Sequence, residues 1–224
     1  ISGDMVVRDA SLWLRHRVGG SKGVVLASSG ITTSMVWFGG FQGVGSLYWE
    51  NLDGLRAANA IYSAPDPDSA RALLARRGVT HLAFVAWNAG LAAAQDAANA
   101  ADGTTGRGFL GGLEERVMAG RLDSLPPWLA PLPYEPATVA GYPHPVVHLF
   151  EVVPDQRPEV AWARMAEFHH AVKNADGMDA ALARSLAIAP NVPALALKAQ
   201  IDRAEGRAEE FRAAVASLRA ELAK

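Results

Sequence analysis

The chain has 224 residues, half of them hydrophobic and 20% charged, with no cysteine and a net charge of −2. That supplies apolar material for a sizeable core and argues against a disordered chain. The near-neutral balance gives no global electrostatic reason to expect nucleic acid as a partner. The missing cysteine excludes disulfides, thiolate zinc sites and thiol nucleophiles. No stretch approaches the roughly 18 consecutive apolar residues that read as a membrane span.

In chain order, residues 4–17, "DMVVRDASLWLRHR", place Met5, Ala10, Leu12, Trp13 and Leu14 largely along one helical side. The basic residues gather at its end, where cations complement the helix dipole. "GVVLAS" (23–28) is a short apolar run between turn signals, the pattern of a strand buried on both faces. "SGITTSMVWFGG" reads as a short helix or turn, and "GVGSLYW" (43–49) as a second strand. From Asn51, a fitting N-cap, Leu52, Leu55, Ala58 and Ile61 predict one buried helix face. Residues 63–78 predict another helix, with Asp66 as cap, Pro67 in the first turn and Gly78 at the close. "VTHLAFVAW" (79–87) is the strongest strand pattern in the chain. Strand, helix and strand in alternation predict a right-handed parallel α/β unit.

Residues 89–101 are Ala-rich and read as helical, followed by a Gly-dense connection and a helix over 113–119. "LPPWLAPLPYEP" (125–136) holds five prolines in twelve residues, which predicts no regular structure there. "PVVHLFEVV" (145–153) alternates as an outer strand of the same sheet. After Pro154 the composition shifts to Ala, Leu, Arg and Glu, giving two domains: 1–154, α/β with a small, mostly parallel sheet, and 155–224, all helical. Gly177 and Gly206 lie 29 residues apart, short of the tetratricopeptide period of about 34. The tail therefore reads as a degenerate tetratricopeptide-like extension.

Among candidate sites, Gly40, Gly43 and Gly45 have dinucleotide-loop spacing in reverse order and precede a strand, where a phosphate cradle must follow one. Their expected role is a tight turn with close backbone approach. "SSGITTS" (28–34) follows the first strand, at the carboxyl end where open α/β sheets bind ligands. Ser28, Ser29, Thr32 and Thr33 could contact a sugar or phosphate there, or cap the next helix. "YWEN" (48–51) joins two aromatics to a carboxylate and an amide. Tyr48, Glu50 and Asn51 fit either a sugar surface or a helix entry, with Trp49 expected buried and Tyr48 accessible. Adjacent His169 and His170 diverge around a helix, and Pro145 interrupts His144 and His148, so no metal-ligand spacing emerges.

The run from "WLR" (13–15) through "VVLAS", "YWEN-x-x-GL" and "APD…AR-x-LL-x-RRGVTH" resembles a soluble region of large bacterial polytopic membrane proteins. These are of the integral-membrane glycosyltransferase type, distantly related to the oligosaccharyltransferase catalytic subunit, and the likeness covers residues 4–90. It implies a non-catalytic periplasmic domain that assists acceptor or partner binding. Its partners would be an upstream transmembrane region of the same protein and a glycan, lipid-linked sugar or protein acceptor. The start at Ile1 leads to the same expectation of a part of something longer. The metal-binding acids and the tryptophan-aspartate motif of those transferases have no match here, so the resemblance carries over no catalytic residue and no cofactor. Two other readings stand beside it. One is a soluble α/β enzyme, or nucleotide- or phosphate-binding protein, using the Ser28–Ser34 loop in the cytoplasm. The other is a protein-interaction module built on the helical tail.

Overall fold

The computed structural model describes residues 3–20, 22–48, 50–86, 108–136 and 146–223. Trp49, His144 and the Ala-rich stretch 89–101 lie outside them. The chain divides into two compact units, Ile1–Pro126 with Tyr134–Pro154, and Pro127–Pro133 with Asp155–Lys224.

The first unit is α/β. Its elements run α1 (Gly3–Arg17), β1 (Val24–Leu26), α2 (Ser29–Gly39), β2 (Gln42–Val44), α3 (Leu52–Tyr62), α4 (Pro67–Arg76), β3 (His81–Val85) and α5 (Phe109–Met118). A 3-10 turn at Leu122–Ser124 and the strand β5 (Val147–Val152) complete it. Within this unit the strands stand in the order β2-β1-β3-β5. β1 is parallel to β2, with Val25 opposite Gly43, and parallel to β3, with Leu26 opposite Leu82. β5 runs antiparallel to β3, with Phe84 opposite His148. The sheet is therefore mixed, with its first three strands parallel.

The chain leaves β1 toward β2 and then returns past β1 to β3. Right-handed crossovers in opposite directions put their helices on opposite faces. Accordingly α2 packs on β1 and β2 together with α1, while α3, α4 and α5 form a second group against β2 and β3. All five residues of β3 are buried, as a strand covered on both faces requires. Phe84 and Phe150, both fully buried, meet with ring centroids 5.3 Å apart.

Local chemistry sets the helix starts. Asn51 Oδ1 accepts the Gly54 amide at 3.2 Å, and Asp66 Oδ1 accepts the Ser69 amide at 2.8 Å with Pro67 following. The expected face of α3 holds at Ala58 and Ile61, but Leu52, at its first position, is 58% exposed. The second strand is also displaced from its expected place. β2 ends at Val44, because Gly45 turns the chain with φ of 76°, so Tyr48 lies beyond the strand.

The second unit holds β4 (Leu129–Leu132) and four helices: α6 (Pro158–Ala171), α7 (Ala175–Ile188), α8 (Val192–Ala204) and α9 (Ala208–Leu222). β4 corrects the expectation of no regular structure in the proline-rich run. Proline removes an amide donor, but its fixed φ is compatible with extended backbone. α6 packs on α7, α8 packs on α9, and β4 packs on α6. The "SLAIAPN" stretch makes a buried polar relay here. Ser185 Oγ donates to the Glu159 carbonyl at 2.7 Å and accepts from Asn191 Nδ2 at 2.9 Å. Asn191 Oδ1 in turn caps α8 by accepting the Ala194 amide at 3.0 Å.

Candidate functional site

After β1, Thr32, Thr33 and Ser34 turn their hydroxyls to the backbone. Thr32 is fully buried, and its Oγ1 accepts the Ala27 amide at 2.9 Å and donates to the Ala27 carbonyl at 3.0 Å. That pair of hydrogen bonds fastens α2 to the end of β1. Thr33 Oγ1 donates to the Ser29 carbonyl and accepts the Leu47 amide, both at 2.8 Å. Ser34 Oγ donates to the Gly30 carbonyl at 3.1 Å. Ser28 holds the N-cap position of α2 without a side-chain cap bond, and Ser29 is half-buried beside it. Thr32 and Thr33 thus serve the backbone, the behaviour short hydroxyl side chains show at helix starts.

The second candidate group splits. Asn51 is the cap of α3, and its Nδ2 donates to Ser46 Oγ at 3.0 Å. Tyr48 is 52% exposed, and Glu50 is exposed beside it. The glycines before them allow helices to approach the strand closely. A Cβ on Gly43 would stand 2.6 Å from Val36 Cγ2, and one on Gly45 would stand 2.5 Å from Ala58 Cβ. No larger residue fits either place without displacing a helix.

Four large apolar side chains of this unit are exposed around the β2–α3 turn and on α2. Trp37 of α2 is 76% exposed and Leu47 is 62% exposed, in addition to Tyr48 and Leu52. The Leu47 amide is held by Thr33 Oγ1, and Thr33 lies one helical turn from Trp37, on the same side of α2. The sequence pattern missed Trp37 and Leu47 because apolar letters beside a strand read first as core. Trp37 stands on the solvent side of α2, and Leu47 faces outward in the turn after Gly45.

A half-buried titratable group was also missed. β1 and β3 are adjacent and parallel, so their carboxyl ends lie side by side at the point where the connections diverge. At the end of β3, Glu114 of α5 accepts the Val85 amide, and burial raises its carboxyl to about 7. Burial, and next the charge of Glu114, raise the Tyr62 phenol well above its usual value. The buried Tyr62 hydroxyl has no hydrogen-bond partner among the described residues. On β5, burial lowers the His148 imidazole to about 4, and its ring stacks on Phe150. No group of three or more metal-ligating side chains occurs among the described residues. No helix among them is long and apolar enough to cross a membrane.

Against models of protein families, curated proteins and solved structures, the chain matches none.

Proposed function

We propose that this chain is a non-catalytic binding domain whose outer edge, formed by Trp37, Leu47, Tyr48 and Leu52, holds an acceptor or partner. The observation that carries this reading is the exposure of those four side chains, between 52% and 76%, along α2 and the β2–α3 turn. Exposed apolar side chains close to one another mark interaction surfaces; Leu47, Tyr48 and Leu52 follow one another through the turn into α3, and Trp37 stands one turn of α2 beyond Thr33, which holds the Leu47 amide. Aromatic rings flanked by Glu50 suit a sugar, whose apolar face stacks on a ring while its hydroxyls reach a carboxylate. With the sequence resemblance, the finer form of the proposal is a periplasmic part of a membrane glycosyltransferase-like protein. In that form a glycan or lipid-linked sugar is the ligand, and the helical unit is a tetratricopeptide-like extension. Titrating the full chain with a lipid-linked sugar and with the free glycan tests it. Saturable binding, weakened about tenfold or more by Tyr48→Ala, is expected for a central contact. Absence of binding to both probes contradicts the glycan form. An upstream reading frame without membrane spans contradicts the membrane-protein form separately.

A second reading has its own observation. Glu114 lies beside Val85 at the carboxyl end of β3, near Tyr62, and the carboxyl ends of strands are where doubly wound sheets bind ligands. A carboxyl titrating near neutrality suits proton transfer. An α/β enzyme or phosphate-binding protein would use Glu114 and Tyr62 together with the Ser28–Ser34 loop. It predicts thermal stabilisation by a nucleotide or phosphorylated metabolite, and a panel of such compounds without any shift contradicts it.

A further inference from the structure

The helical unit contains a concavity of about 290 Å³ where the α6–α7 turn meets the end of α8. His169, His170 and Lys173 line it together with Glu205, and Met178 and Ile201, both buried, supply apolar lining. Its volume would admit about ten water-sized groups.

The turn that carries Lys173 is unusual for this chain. α1, α4, α5 and α8 each end with the amide two residues past the cap bonded back to a carbonyl five residues earlier: Gly20 to Arg15, Val79 to Leu74, Arg121 to Arg116 and Arg207 to Asp202. In all four the intervening left-handed position is glycine, namely Gly19, Gly78, Gly120 and Gly206, with φ between 63° and 79°. α6 closes in the same way, with Asn174 bonded to His169 and Lys173 to His170. Yet the left-handed position is Lys173, at φ of 58°, the one non-glycine with positive φ among the described residues. A side chain there is strained where glycine is not. Lys173 is one of the residues that line the pocket, and strained backbone of this kind accompanies binding sites.

The remaining wall is consistent with an anion. Asn174 Oδ1 accepts the Gly177 amide at 3.0 Å, which leaves its Nδ2 to donate to His169 Nδ1 at 3.1 Å. An acceptor Nδ1 puts the imidazole proton on Nε2, so His169 carries a second donor. Glu205 is committed to Arg207. Lys173 has no ion-pair partner among the described residues, so the site offers one uncompensated cation. One cation with apolar lining matches a single negative charge on a short hydrocarbon. A doubly charged phosphate would leave its second charge uncompensated near Glu205.

We propose that this pocket binds a monocarboxylate carried on a short aliphatic chain, either a free acid or the terminal carboxylate of a peptide ending in an apolar residue. The test is NMR titration of the His169 and His170 ring signals in the full chain, with hexanoate and with N-acetyl-Ala-Leu as probes. At least one should give saturable shifts at about 1–10 mM, and which one does so separates the two sources. Hexylamine and hexanol should give none. Lys173→Gly should weaken binding about tenfold or more while melting at the same or a higher temperature, because glycine relieves the left-handed strain. Lys173→Asn, which also tolerates that conformation, should lose binding equally. No shift with either acid, equal shifts with hexylamine or hexanol, or unchanged binding by both variants would overturn the assignment.

Discussion

Thr32 shows how one side chain can be read two ways from sequence. Its hydroxyl type fits a ligand loop, yet its oxygen holds both polar groups of Ala27 in a fully buried place. Thr32→Val keeps the shape and strands a buried amide and carbonyl. We expect a loss of about 1–3 kcal/mol, read as a lower urea midpoint; an unchanged midpoint would show that water replaces the hydroxyl. Glu114 and His148 were legible only as letters, because their perturbation comes from burial that no local pattern encodes. Burial raises Glu114 from 4.5 to about 7, so its stabilisation is complete below pH 4.5 and is lost as pH rises through 7. Burial lowers His148 from 6.5 to about 4, so its contribution is complete above pH 6.5 and is lost as pH falls through 4. Between those unfolded-state values the two trends oppose each other. Glu114→Gln should therefore uncover stability that rises with pH from about 4 to 6.5, and His148→Phe stability that falls from about 4.5 to 7. Urea midpoints across pH test both. Profiles identical to the parent chain in both variants would show that neither group is buried as described.

Helix starts and stops were the most legible elements, because a cap acts over three or four residues of sequence. Asn51, Asp66 with Pro67, and Gly78 all stand where their chemistry predicts. Strand limits were less legible. β2 is shorter than its apolar run because Gly45 turns against α3, and β4 forms among prolines because its Leu129, Ala130 and Leu132 have a helix to pack on. Both depend on contacts distant in sequence. The end of α8 gives a further test. Asp202 is fully buried and is held by Lys198 Nζ at 3.0 Å and by the Arg207 guanidinium, whose Nε stands 2.9 Å away. Removing one partner of a buried ion pair costs about 3–5 kcal/mol. Arg207→Ala should fall below that range, at about 2–3 kcal/mol, because Lys198 remains. Chemical denaturation of the variant measures it, and a loss under about 0.5 kcal/mol, the scale of an exposed pair, would contradict the burial of Asp202.

For the whole molecule, composition marked the shift to helix after Pro154, but it did not show that residues 127–133 group with the helices that follow. A fragment of residues 1–154 therefore retains β4 without the helix it packs on. It should fold yet bind an apolar dye and lose solubility; a soluble fragment without dye binding would show that β4 needs no cover. The central claim, that the Trp37–Tyr48 edge is a binding surface and not core, is tested most directly by thermal unfolding of Trp37→Ala with and without the lipid-linked sugar. Without ligand, the variant should melt within about 2 °C of the parent chain, as a surface substitution of at most about 0.5 kcal/mol does. Ligand should raise the parent chain's melting temperature and leave the variant's unchanged. A fall of about 6–20 °C without ligand, the cost of truncating a buried aromatic, or a ligand shift preserved in the variant, would contradict the account.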